Sequence, residues 1–223
     1  MKNQPVIREN YFTNEEVNRM LYYADKIKTP GQLGLIGGCY GFKTSGEADR
    51  MSIENPIVPL TGDFDDDQSI LEFTKACLSV KKEVESFFDL ELSFTNCMYA
   101  YMLPGASNPL HSDNSKLDGT PYHEAEETDY SALIYLNDSS TDYEGGDISF
   151  PLQEITISPK KGMIIFFKGD HHHPHGVSEV TKGERKTVVL FFANKGNVSD
   201  RPLFLDEYSG VPVDSEDHSG LTL

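Results

Sequence analysis

Tryptophan is absent from this chain of 223 residues, and cysteine is scarce, with only Cys39, Cys77 and Cys97. An odd number of widely spaced cysteines predicts neither a disulfide framework nor a structural zinc site. No apolar run approaches the roughly 18 residues of a membrane span, and the opening MKNQPVIREN has no apolar signal-peptide core. We therefore expect a cytoplasmic protein without a membrane partner.

Basic residues are also few: 19 Lys and Arg stand against 36 Asp and Glu, which gives a formal net charge of −17. Proteins that bind nucleic acid neutralise its phosphates with Lys and Arg. The charge thus predicts no nucleic-acid partner and favours a neutral or basic peptide or protein.

Two amphipathic helices are predicted in the first part of the chain. Thr13 and Glu16 have the spacing of a capping box, and apolar residues recur behind them at helical intervals until a break near Thr29. A second helix is expected to begin close to Asp67 and to hold one apolar face for about five turns. Cys77 falls on that face, which indicates a buried structural thiol.

After residue 92 the apolar pattern changes to the alternation of strands. The predicted strands cover residues 93–103, 130–136, 147–150, 154–157, 162–167, 176–180 and 186–193. Many short strands behind two helices predict a mainly β fold, a double-stranded β-helix or jelly roll with the helices against one sheet. We expect a single domain over residues 1–205, with helical support at 12–90, a jelly-roll core at 93–194 and an acidic tail at 206–223.

His111 and Asp113 form a His-x-Asp triplet. On an extended backbone, residues two apart point to the same face, so one imidazole and one carboxylate can bind the same metal ion. A second histidine from elsewhere would complete the two-His-one-carboxylate facial triad typical of non-haem Fe(II).

Further motifs follow this triplet in a fixed order. They are YLN at 135–137, GGDISFP at 145–151, PKKGMIIFF at 159–167 and HGVSEVTKGER at 175–185. This order resembles the catalytic domain of the prolyl 4-hydroxylase family of Fe(II)- and 2-oxoglutarate-dependent dioxygenases, over roughly residues 93–194. The resemblance implies that His111, Asp113 and His175 are the catalytic iron ligands.

The resemblance also implies a binding site for the co-substrate. Arg185, ten positions after His175, matches the family's cation for the distal carboxylate of 2-oxoglutarate. A guanidinium suits this role because it stays charged and pairs with carboxylates bidentately. Tyr135 matches a tyrosine that shares that carboxylate, and Tyr101 matches another tyrosine beside the co-substrate. Thr187 shares a strand face with Arg185 and is expected to assist.

Other histidines compete for the metal. The run His171–His173 is interpreted as an exposed turn that binds metal adventitiously, because only His175 has the family's spacing to Gly-Val and to Arg185. His123 lies in the acidic stretch 112–129, which we interpret as a mobile lid. Substrate choice is expected to reside in this stretch and in residues 31–67.

The expected reaction consumes 2-oxoglutarate and O2, with ascorbate as reductant, and hydroxylates a prolyl residue in a peptide or protein. Succinate and CO2 are released. Two alternatives stay open at this point. The chain could act on a free amino acid or another small substrate, or it could be a non-catalytic metal-binding jelly-roll module.

Overall fold

The computed structural model describes residues 3–27, 39–42, 48–51, 67–122 and 128–194. The acidic tail, His123 and most of residues 31–67 lie outside these ranges. The expected domain boundaries, and the role expected for those segments, therefore stay predictions.

The N-terminal part contains both predicted helices. Its elements, in chain order, are β1 (Val6–Arg8), α1 (Asn14–Ile27), β2 (Cys39–Phe42), β3 (Ala48–Met51) and α2 (Asp67–Phe88). The capping box is confirmed, since the Thr13 amide donates to Glu16 Oε2 over 2.7 Å and the Glu16 amide donates to Thr13 Oγ1 over 3.3 Å. Within the described ranges, neither helix is long and apolar enough to cross a membrane.

Strands make up most of the chain after α2. They are β4 (Leu92–Met102), β5 (Asn108–His111), β6 (Tyr130–Tyr135), β7 (Tyr143–Gly145), β8 (Ile148–Phe150), β9 (Ile155–Ile157), β10 (Ile164–Lys168), β11 (His175–Val177), β12 (Val180–Gly183) and β13 (Arg185–Asn194). A single 3-10 turn, Pro151–Gln153, separates β8 from β9.

The predicted strands are present, with ends shifted by one or two residues, except for the one expected over 176–180. That segment is divided between β11 and β12, which belong to different sheets. Strands β1, β5 and β7 were not predicted, because three or four residues hold too few alternations to give a period.

Two sheets form the predicted jelly roll. The larger has the strand order β1-β10-β6-β13-β4, and the smaller has the order β5-β11-β8-β9. Side chains alternate along β6, so that Ala132 and Ile134 face the helices while Leu133 and Tyr135 face the smaller sheet. The helices therefore cover one face of the larger sheet, and the other face forms an inner core between the two sheets. Cys77 is fully buried on the helical side, as predicted.

The turn before β10 requires glycine at position 162. Gly162 has φ +79°, and a Cβ there would lie 2.3 Å from the backbone oxygen of Phe12. We expect Gly162→Ala to lower the free energy of unfolding by about 3 kcal/mol, measured by urea denaturation, because both the backbone angle and the contact oppose a side chain.

Gly119→Ala is the matched control. Gly119 has φ +88°, but its Cβ would meet the movable ring of His171 at 3.2 Å. Gly119→Ala should lower the free energy of unfolding by less, about 1 kcal/mol. Equal losses in the two variants would show that the contact with Phe12 has no effect of its own.

Candidate metal centre

Strand pairing brings the two predicted histidine ligands together. Strands β5 and β11 are antiparallel, and the Cα atoms of His111 and His175 are direct partners in this pairing. Their ring centroids are 4.4 Å apart. The pairing thus places two imidazoles side by side at one end of the smaller sheet.

Asp113 joins them from a turn and not from the extended backbone that we predicted for the triplet. Strand β5 ends at His111, and the amides of Asp113 and Asn114 both donate to the carbonyl oxygen of Gly169, each over 3.0 Å. Asp113 Oδ1 lies 3.6 Å from His111 Nε2 and 3.8 Å from His175 Nε2. Ligand atoms of the three residues all lie within 4.8 Å of one another.

Hydrogen bonds on the far side of each imidazole fix its tautomer. His111 Nδ1 lies 2.8 Å from the carbonyl oxygen of Pro109, and His175 Nδ1 lies 3.1 Å from that of His173. A carbonyl oxygen only accepts, so each Nδ1 carries the proton and each Nε2 presents its lone pair. This arrangement is the one that metal-binding histidines commonly have.

Burial keeps His175 in the neutral form. Burial lowers the pKa of His175 to about 4, although the Asp113 carboxylate acts in the opposite direction. At neutral pH the imidazole is therefore uncharged and able to donate its lone pair to a metal ion. Two neutral imidazoles and one carboxylate suit Fe(II) and leave its remaining positions to other ligands.

Ser131 orients the carboxylate and was given no role in the sequence analysis. Its hydroxyl donates to Asp113 Oδ2 over 2.5 Å, which leaves Oδ1 towards the histidines. Ser131 is buried within strand β6, YSALIY, and is its only residue with an aliphatic hydroxyl. A small polar residue inside a wholly buried strand is a signal that could have identified it.

The run His171–His173 is a turn with an exposed His172, as predicted, but its third histidine is buried. His173 is 1% exposed, and its Nδ1 lies 2.7 Å from Asp170 Oδ1. This residue is therefore part of the structural support of the loop. Among the described residues, only His111, Asp113 and His175 form a group that could hold a metal ion.

The predicted lid is described only in its first part. Tyr122 N donates to Asn114 O over 3.0 Å, and Lys116 N donates to Thr120 O over 2.7 Å. Residues 114–122 thus form a hydrogen-bonded turn. Mobility of the remaining lid residues stays a prediction.

Arg185 lies in the inner core with four neutral partners, of which three are oxygen atoms and the fourth is Met102 Sδ, 3.7 Å from Nη1. The residue is 2% exposed, and its guanidinium donates to Gly146 O over 3.1 Å, to Thr187 Oγ1 over 3.0 Å and to Tyr135 OH over 3.3 Å. No carboxylate of a described residue lies within 4.0 Å of it. A buried cation is costly unless it is paired, so this site is suited to an anionic ligand.

Of the other predicted co-substrate residues, Tyr135 and Thr187 contact Arg185 and Tyr101 does not. Tyr101 packs against the core on the helical side, with its ring centroid 6.1 Å from that of Tyr99. Its neighbour Met102 faces the inner core. Successive residues of β4 point to opposite faces of the sheet, so Tyr101 lies on the face away from Arg185. The prediction that Tyr101 lies beside the co-substrate is therefore wrong.

A family model matches the part of the chain that contains the metal centre and Arg185. Residues 97–193 match the 2OG-Fe(II) oxygenase superfamily. Residues 97–193 are a 2OG-Fe(II) oxygenase domain. This assignment accounts for the donor set of the metal centre and for the buried Arg185, since the superfamily is named for 2-oxoglutarate and Fe(II).

Among curated proteins, prolyl 3-hydroxylase 2 of Rattus norvegicus is 30% identical over 216 residues, a match that covers 85% of this chain and 29% of that protein. Prolyl 3-hydroxylase 2 of Gallus gallus is 34% identical over 134 residues, covering 50% of this chain and 19% of that protein. The chain thus spans less than a third of these relatives. The oxygenase domain is prolyl hydroxylase-like, as the motifs predicted.

Solved structures share the fold of the oxygenase domain. A Trichoplax adhaerens prolyl hydroxylase, in complex with a hypoxia inducible factor oxygen degradation domain peptide fragment, matches with a TM-score of 0.58 and 19% identity, covering 86% of this chain and 84% of that one. A Pseudomonas putida prolyl-4-hydroxylase matches with a TM-score of 0.56 and 17% identity, covering 86% and 88%. The predicted jelly roll is thereby confirmed.

The assignment of the third metal ligand gives a direct prediction. His175→Ala should weaken Mn(II) binding under nitrogen by at least about a hundredfold, because it removes a ligand, whereas His172→Ala should bind normally. Binding is measured from the loss of the free Mn(II) signal in electron paramagnetic resonance. Weakened Mn(II) binding in His172→Ala, with normal binding in His175→Ala, would show that the third ligand belongs to the run His171–His173.

A second prediction concerns the support of Asp113. Ser131→Ala should lower Mn(II) affinity by about ten- to a hundredfold, because the carboxylate loses the bond that orients it. Ser79→Ala is the control, since it also removes a serine hydroxyl, one that donates to Ala76 O over 2.8 Å within α2. Equal Mn(II) affinity in both variants would exclude an orienting role for Ser131.

Proposed function

We propose that the protein is an Fe(II)- and 2-oxoglutarate-dependent dioxygenase that hydroxylates a prolyl residue in a peptide or protein. One molecule each of 2-oxoglutarate and O2 is consumed, one oxygen atom enters the C–H bond, and succinate and CO2 are released. Two observations carry the proposal together: a His-Asp-His centre whose His175 packs against the inner core, and a buried arginine in that core with no carboxylate of a described residue within 4.0 Å.

Each protein group has a defined task in this proposal. His111, Asp113 and His175 would hold Fe(II), which supplies the chemistry that activates O2 when it is bound. Arg185 and Tyr135 would bind the distal carboxylate of 2-oxoglutarate and so orient its 2-oxo acid end towards the metal. Burial raises the pKa of Tyr135, so its hydroxyl keeps its proton and can donate to that carboxylate.

The surroundings of the centre support the exclusion of water. Phe150 and Phe167 pack around His175, with ring centroids 5.5 Å and 4.6 Å from the imidazole. An apolar wall on this side strengthens electrostatic interactions within the site and limits side reactions with solvent.

The substrate proposal rests on the relatives and on charge. The curated relatives that match most of this chain are prolyl 3-hydroxylases, so we propose carbon 3 of proline as the position hydroxylated, although the motif order resembles the 4-hydroxylase family. The net charge of −17 favours a neutral or basic peptide over nucleic acid. Ascorbate as the reductant and a cytoplasmic location belong to the proposal as well.

The test is succinate formation from 2-oxoglutarate with Fe(II) and ascorbate, with and without a panel of proline-containing peptides. We expect peptide-stimulated succinate, a product heavier by one oxygen atom, and 3-hydroxyproline on amino-acid analysis. His111→Ala should show neither succinate nor product.

Three results would change the proposal in different ways. Stoichiometric 4-hydroxyproline would keep the activity and move the position to carbon 4. Succinate that responds to a free amino acid but to no peptide would replace the substrate class. An iron-loaded protein that forms no succinate would favour the non-catalytic module.

A further inference from the structure

Tyr143 presents a buried hydroxyl that no described group satisfies. It is the first residue of β7, where its Cα pairs with that of Gly183 in β12, and the side chain is 2% exposed. Its hydroxyl oxygen has no hydrogen-bond partner. Buried hydroxyls are usually paired, so one without a partner indicates a position where a ligand or a water molecule binds.

The side chains of Tyr143 and Arg185 both pack against Gly146. A Cβ at Gly146 would lie 2.9 Å from Arg185 Cδ and 3.1 Å from Tyr143 Cε2, so both side chains occupy the space that the glycine leaves. Burial raises the pKa of the Tyr143 phenol, and the Arg185 charge lowers it by a smaller amount, which is consistent with their contact. The net pKa is raised, and the hydroxyl therefore keeps its proton.

The groups around Arg185 are almost all hydrogen-bond donors towards a ligand. Thr187 Oγ1 and Tyr135 OH each accept a bond from the guanidinium, which leaves their own O–H groups free to donate onward. Tyr143 adds a third hydroxyl. A carboxylate accepts about four hydrogen bonds on its two oxygens and donates none, so it matches this set of donors.

We propose that Tyr143 is a further co-substrate-binding residue, whose hydroxyl donates a hydrogen bond to the carboxylate that pairs with Arg185. The inference rests on the proposed function, since that carboxylate is the distal one of 2-oxoglutarate. Tyr143 would then help select a 2-oxo acid that ends in a carboxylate.

The test compares two 2-oxo acids with the Mn(II)-loaded protein under nitrogen, by isothermal titration calorimetry. 2-Oxoglutarate carries the distal carboxylate, and 2-oxopentanoate has a methyl group in its place. Tyr143→Phe should weaken 2-oxoglutarate binding by about ten- to a hundredfold, because it removes one bond to a charged group. Its affinity for 2-oxopentanoate should change less than about twofold.

Tyr11→Phe serves as the control for loss of a tyrosine hydroxyl. Tyr11 OH donates to Ser79 O over 3.0 Å on the helical side of the protein, remote from Arg185. This variant should bind 2-oxoglutarate as the wild type does. Without ligand, Tyr143→Phe should melt no lower than the wild type, because the hydroxyl it removes has no partner.

The outcomes separate this inference from the proposed function. Unchanged 2-oxoglutarate affinity in Tyr143→Phe would overturn the inference. Equal losses for both acids would also overturn it, since they would reveal a general role in packing. If the wild type itself failed to bind 2-oxoglutarate, that result would contradict the proposed function and not only the role of Tyr143.

Discussion

The antiparallel pairing of β5 with β11 is the constraint on which the metal centre depends. It sets His111 directly opposite His175, although a long stretch of chain separates them. The backbone also supplies the carbonyl oxygens that fix both imidazole tautomers. Asp113 can then be added from a short turn anchored at Gly169. The register of β5 and β11 thus determines where the two imidazoles lie, and backbone groups determine how they are oriented.

The jelly roll separates two kinds of interior. On the helical side the larger sheet packs on apolar side chains, whereas its inner face carries Arg185 and the hydroxyl groups of Tyr135 and Thr187 among apolar neighbours. The buried His175 belongs to β11 of the smaller sheet. Polar groups in such surroundings interact strongly because little water screens them. Arg185 donates hydrogen bonds to three neutral oxygen atoms, which do not neutralise its positive charge. The guanidinium is therefore suited to pair with an anion. The same inner core can therefore bind a cation at one point and a carboxylate at another.

The fold and most of the site could be predicted from the sequence, because helical periodicity, strand alternation and motif order are local patterns. The strand β5 could not, since four residues with a proline give no alternation. Tyr101 was misplaced because a match to a family position does not reveal which face of β4 the residue occupies. The burial of His173 depends on its bond to Asp170 and on tertiary packing. Tyr143 was missed because an unsatisfied hydroxyl is visible only once its neighbours are known.

The most direct measurement is a crystal structure of the protein with Mn(II) and 2-oxoglutarate, grown under nitrogen. We expect one metal ion bound by His111 Nε2, Asp113 Oδ1 and His175 Nε2. We also expect one 2-oxoglutarate molecule whose distal carboxylate pairs with Arg185. A metal ion bound by the run His171–His173, or a 2-oxoglutarate molecule that leaves Arg185 without a carboxylate, would contradict these expectations.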